Sequence, residues 1–207
     1  GIVTAKEQLL LYNFPTHSAA IRSIKMRRRI FMEFLEAACR RRSVRAYKNI
    51  PVTKKELDYV VQCASLSPVG MGAYDCIHIT VINDAGLIDA IDKAAARKLG
   101  REDAHPVYGA PALVVVSTKP GKIPIPGIES ANCGCIMQTM MLAAADIGLG
   151  SVYLLAAAEA LANDPTLVDA LGLPEDFKPT AIMALGYPDG EIEKKAMEVK
   201  IGMNTLD

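Results

Sequence analysis

Residues 40–45 read Arg-Arg-Arg-Ser-Val-Arg, four guanidinium groups around one hydroxyl in six positions. No nucleophile stands beside a base in that run. What these residue types can do at this spacing is hold an anion, because two guanidinium forks flanking a hydroxyl match the acceptors of a phosphate. In an extended segment, Arg41, Ser43 and Arg45 stand at period two and share a side. A second role stays open on the residues alone. The run follows an amphipathic segment, and cations at a helix C-terminus are favoured by its exposed carbonyls.

Two other stretches carry potential chemistry. Ser67-Pro-Val-Gly-Met-Gly72 is a loop whose glycines let a backbone approach a ligand closely. Gly148-Leu-Gly150 ends a long helix bearing Gln138, and Gly186-Tyr-Pro188 closes the last expected strand. His17, His78 and His105 have no motif around them and are read as non-catalytic, so no side chain is assigned a catalytic role. Cys133 and Cys135 form a C-x-C pair without a second Cys/His pair, which reads as helix thiols and not as a metal site.

These residues must be positioned by regular elements. Phe31, Phe34, Leu35 and Ala38 recur at helical spacing ahead of the arginines. Thr53 with Glu56 makes a capping box for a helix to about Leu66, buried through Leu57, Val60, Val61 and Ala64. Residues 76–82 alternate as a strand, and 88–99 read as a helix. Residues 112–117 form a valine-rich run suited to a strand covered on both faces. A long Ala/Met-rich helix is expected over 130–147, a short strand over 152–155, and helix over 157–172 broken at Asn163-Asp-Pro165. Residues 180–185 are the last expected strand. The pattern is an α+β domain: a few core strands flanked by helices.

Bulk properties narrow the function classes. Lys plus Arg and Asp plus Glu both number 23, so the chain carries no formal net charge. Residues 22–45 nevertheless hold nine Lys/Arg against Glu33 and Glu36, while residues 46–207 hold 13 against 20 acids. A basic arm on an acidic body, without a basic face and interleaved aromatics, argues against nucleic acid as partner. The longest apolar region, residues 133–162, is interrupted by Gln138, Asp146 and Glu159, a poor membrane span. Five cysteines without paired spacing suggest reduced thiols and a cytoplasmic location.

In order and spacing, the Arg-x-Ser-x-Arg segment, the Ser-Pro loop, the Gln-bearing helix ending in Gly-Leu-Gly and the final Gly-Tyr-Pro resemble the FMN-dependent nitroreductase family from about Met32 to Lys195. The resemblance implies a nitroreductase-like α+β fold with a central mixed β-sheet flanked by helices, in a domain-swapped homodimer with FMN at the interface. It implies residues 1–31 as an N-terminal extension and 32–207 as the FMN-binding domain. It implies that Arg41, Arg42, Ser43 and Arg45 grip the FMN phosphate and ribityl chain, with Lys194 or Lys195 as second basic contact. Pro68, Val69 and Gly70 would lie along the isoalloxazine from the partner subunit, and Leu155 and Ala156 would present backbone near its N5 edge.

Gly72 stands where family members commonly place a flavin-contacting amide, and Leu155-Ala156 replaces a usual glycine pair. The implied activity is reduction of nitroaromatic, quinone or related acceptors at the expense of NADH or NADPH, by a ping-pong cycle. The alternative is a flavin-binding protein with little turnover, for storage or sensing. The apolar Leu9–Phe14 is expected to pack on the dimer.

Overall fold

The structure is a computed structural model that describes residues 34–196 and 200–206. The expectations placed on residues 1–31 lie outside the described residues.

Four strands form the sheet: β1 (Ile77–Ile82), β2 (Ala112–Thr118), β3 (Gly150–Leu154) and β4 (Lys178–Gly186), in the order β1-β2-β4-β3. All neighbouring strands pair antiparallel. The mixed character expected of the sheet is therefore confined to one isolated parallel bridge, Ser43 with Ser151, where the arginine segment runs along β3. Valine-rich β2 is an inner strand, and all seven of its residues are buried. Its alternation divides the core. Leu113 and Val115 face one side with Ile182 and Ala184 of β4, while Val114 and Val116 face the other with Met183 and Ala181.

Helices cover both faces. On one side lie α3 (Ala85–Lys98), α5 (Leu155–Ala162) and α6 (Pro165–Ala170), packed through Ile91, Leu161 and Leu167. On the other lie α2 (Lys54–Ala64) and α4 (Ile128–Asp146), packed through Val60, Ile136, Met137 and Met140. Burial of these aliphatic side chains is the main stabilising term.

Local signals set the helix ends. Thr53 and Glu56 make the expected reciprocal capping box, and Glu56 Oε2 also accepts from Tyr187 Oη at 2.8 Å. The α2 cap is thus tied to the Gly-Tyr-Pro turn. Asp164 caps α6 with Pro165 in its first turn, so the break between α5 and α6 falls where the sequence places it. The methionines of α4, Met137, Met140 and Met141, belong to the subunit's own core. The side of α4 left exposed carries Ala131, Gly134, Cys135 and Gln138.

Candidate functional site

The short helix α1 (Phe34–Arg40) delivers the chain to the arginine segment. The Arg41 amide still closes a helical turn on the Ala37 carbonyl at 2.8 Å, so extended backbone begins only after it. The Val44 amide then donates to the Ser151 carbonyl at 3.1 Å, the Lys48 amide to the Tyr187 carbonyl at 2.8 Å, and the Asp189 amide to the Ala46 carbonyl at 3.0 Å. Residues 43–48 are held between β3 and the turn after β4.

Glycines make that docking possible. A Cβ on Gly150 would meet Val44 Cγ2 at 2.7 Å, and one on Gly186 would meet Pro111 Cδ at 2.6 Å and Tyr47 Cδ1 at 2.9 Å. Both motif glycines thus serve close approach of the arginine segment. Tyr47 is partly buried, with its hydroxyl on the Val44 carbonyl at 2.9 Å, and burial pushes its ionisation well above the usual phenol range.

The chain after the Gly-Tyr-Pro turn comes back alongside. The Lys195 amide donates to the Cys39 carbonyl at 2.9 Å, which brings the C-terminal lysines to the end of α1. The two lysines separate there. Lys194 Nζ binds Glu36 at 2.7 Å, and Glu36 also takes Arg40 Nε at 2.7 Å. These two cations hold the Glu36 carboxyl below its ordinary range. Lys195 instead joins Arg41 and Arg42. Desolvation first, then the charges of Arg41, Arg42 and Lys200, lower its pKa, while burial and then Arg42 lower that of Arg41. Positive charges crowded together in this way form an anion-seeking cluster.

Arg45 has contacts of its own. It is exposed beyond Val44, its guanidinium 5.8 Å from the Tyr108 ring centroid and its Nη1 3.4 Å from the Ser43 carbonyl. Tyr108 in turn borders a cleft of about 850 Å³ that includes Asn49, Asn83, Asp92 and His105.

The remaining predicted residues lie on two other elements. Leu155, 68% exposed, and Ala156 open α5 directly after β3, the strand that Ser43 bridges. In the loop, Pro68 is exposed, the Val69 side chain is in the core, and the Gly70 amide donates to Asn132 Oδ1 at 2.9 Å. Gly72 is exposed with φ +65°. Gln138 is exposed on α4. Among the described residues, no hydrogen bond or ion pair joins the loop or Gln138 to the arginine segment. Cys133 is buried, its thiol pushed up to about 12 by burial, whereas Cys135 is exposed. Two residues apart on a helix, they do not face one another.

Sequence reading passed over Asn132, Glu36 and Tyr108. A buried amide near the start of an otherwise apolar helix was a readable signal for Asn132. Arg40 pairs with Glu36 at the local i,i+4 spacing, but the second partner of Glu36, Lys194, and the Arg45 partner of Tyr108 lie far along the chain, and no local pattern announces them.

The sequence model of the Nitroreductase family matches residues 38–187. The chain belongs to the nitroreductase family. Among solved structures, a nitroreductase of Bacteroides fragilis with bound FMN is similar to this chain with a TM-score of 0.71 and 25% identity. The match covers 84% of this chain and 99% of that one. A nitroreductase of Desulfitobacterium hafniense with bound FMN shares the fold at a TM-score of 0.71 and 23% identity, over 83% of this chain and 98% of that one. An NADPH-flavin oxidoreductase of Vibrio harveyi is 26% identical over 168 residues, 78% of this chain and 68% of the relative.

Proposed function

We propose that this protein is an FMN-dependent oxidoreductase that uses NADH or NADPH to reduce nitroaromatic, quinone or related acceptors. The observation that carries the reading is the convergence of Arg41, Arg42 and Lys195. A segment about 150 residues further along is hydrogen-bonded to the end of α1, so that Lys195 joins Arg41 and Arg42, which precede Ser43 in the chain. That donor set fits a phosphate monoester: guanidinium forks supply paired donors and the lysine a compact charge. Relatives that carry FMN or are named for NADPH and flavin support the choice of ligand.

Arg41, Arg42, Ser43 and Lys195 would hold the phosphate end, with Arg45 beside them. Leu155 and Ala156 would offer first-turn amides of α5, whose N-cap Leu154 makes no side-chain bond to them. When bound, FMN supplies the two-electron chemistry between nicotinamide and acceptor, and the protein supplies orientation and electrostatics. No side chain is asked to act as nucleophile or general base.

The loop from Ser67 to Gly72 would reach the flavin of a second copy, making a homodimer the working unit. Its anchoring on α4 through Asn132, and the exposure of Met71 at 77%, fit a loop presented outward. Five free thiols fit a cytoplasmic location. A second reading, flavin binding with little turnover, is favoured by Gly72 and by the exposed Leu155 side chain at the mouth of α5. Heat-released cofactor should run as FMN on chromatography, and NAD(P)H oxidation should follow added quinone. FAD, or no flavin after reconstitution, would contradict the first reading. FMN without turnover would select the second.

A further inference from the structure

Tyr108 holds a backbone conformation that its side chain makes costly. Its φ is +58° and that of Gly109 is +67°, and the Ala110 amide closes back on the Val107 carbonyl at 3.1 Å. Two positive φ values inside such a turn follow the type I′ pattern, whose first central position favours Asn, Asp or Gly. A bulky residue there is an outlier. The surroundings enforce it. Asp92, buried on α3, spends both carboxylate oxygens on this turn, accepting the Val107 amide at 2.8 Å and pairing with His105 Nδ1 at 2.8 Å. The Tyr108 amide donates to the His105 carbonyl at 2.8 Å. Backbone strain that is held in place in this way collects at ligand clamps. What it presents here is an aromatic face, and Arg45 lies over it.

We propose that Tyr108 is a positioning residue for the anion grip: its ring holds the Arg45 guanidinium ready beside Ser43. The proposal rests on the reading that Arg45 contacts the FMN phosphate. A free arginine loses rotamer freedom when it orders on a ligand, and an aromatic platform removes part of that loss before binding. The ring also packs against the α3/α5 core, so a simple loss on truncation would not separate positioning from packing. Coupling to Arg45 does separate them.

The test titrates FMN and riboflavin into flavin-free protein. Riboflavin has the same ring system without the phosphate. Tyr108→Asn removes the aromatic ring and suits a left-handed turn residue, so the fold is retained; Tyr108→Phe keeps the ring. Tyr108→Asn should weaken FMN binding about two- to five-fold, the scale of an exposed cation–π contact. It should leave riboflavin affinity unchanged, and Tyr108→Phe should match the wild type. In an Arg45→Ala background, Tyr108→Asn should add no further loss. Equal losses with and without Arg45, or equal losses for FMN and riboflavin, would reduce Tyr108 to packing and overturn the proposal. If Arg45→Ala leaves FMN affinity intact while Arg41→Ala lowers it, Arg45 is outside the grip and the proposal falls, but the Arg41–Lys195 reading stands. Absence of FMN binding in the wild type would sink the cofactor reading itself.

Discussion

Lys194 and Lys195 are neighbours in sequence with opposite surroundings, and that difference is the sharpest residue-level handle on the site. Lys194 is neutralised by Glu36, while Lys195 faces Arg41 and Arg42. Lys195→Ala or Arg41→Ala should therefore weaken FMN binding by roughly 1.5–3 kcal/mol, the range for charge-assisted bonds. Lys194→Ala and Arg40→Ala should change it little, since Arg40 is also spent on Glu36. Equal losses at all four positions, measured by flavin-fluorescence titration, would indicate a diffuse basic patch. The lowered pKa of Lys195 adds a pH dependence of definite sign. Folding disfavours its charged form, so the flavin-free protein binds fewer protons than the unfolded chain. Its stability therefore gains from this group as pH rises through the lowered pKa towards the ordinary lysine value. A phosphate dianion restores the proton. FMN affinity should accordingly begin to fall at a pH below the ordinary lysine range, and this alkaline limb should vanish in Lys195→Ala.

At the scale of elements, the proposed grip depends on two strands that admit a third chain segment. Gly150 and Gly186 are the positions where that segment comes closest, and each added Cβ would fall under 3.0 Å from a neighbour. Gly150→Ala should cost roughly 1–3 kcal/mol of stability, the usual penalty of overpacking. It should also lower FMN affinity by shifting residues 43–45 off β3. Unchanged melting temperature and affinity would show that Val44 yields freely. Much of this framework was legible in the sequence: the ordered motifs, the Thr53/Glu56 box and the Asp164-Pro165 start of α6 all rest on local chemistry. The division of the arginines was not. Period two puts Arg41, Ser43 and Arg45 on one side only if all three are extended, and the Arg41 amide still belongs to α1. Tyr108 was hidden for the same kind of reason. Its partner is 63 positions away, and nothing beside it marks it as a platform.

For the whole molecule, the sequence showed α4 as an apolar helix but could not say which side met what. Its methionines went to the core. The outward stripe of Ala131, Gly134, Cys135 and Gln138 is flanked by the loop that hangs on Asn132 and by α1, where Phe34 is 76% exposed. Small residues on a helix allow a second backbone close approach, which fits the proposed homodimer. Gly134 offers a clean test because a Cβ there would meet nothing within 4 Å among the described residues. Glycine inside a helix costs roughly 0.5–1 kcal/mol relative to alanine, so Gly134→Glu should leave the isolated chain folded and no less stable. A second copy packed on this face would instead meet a buried, unpaired carboxylate, and the dimer should dissociate. Cys135 reports the same event, because its thiol should label with maleimide slowly in the dimer and quickly in Gly134→Glu. Cys133, buried with its pKa at about 12, should stay unlabelled in both. Light scattering that finds Gly134→Glu as dimeric as the wild type, with Cys135 equally reactive in each, would place the interface elsewhere.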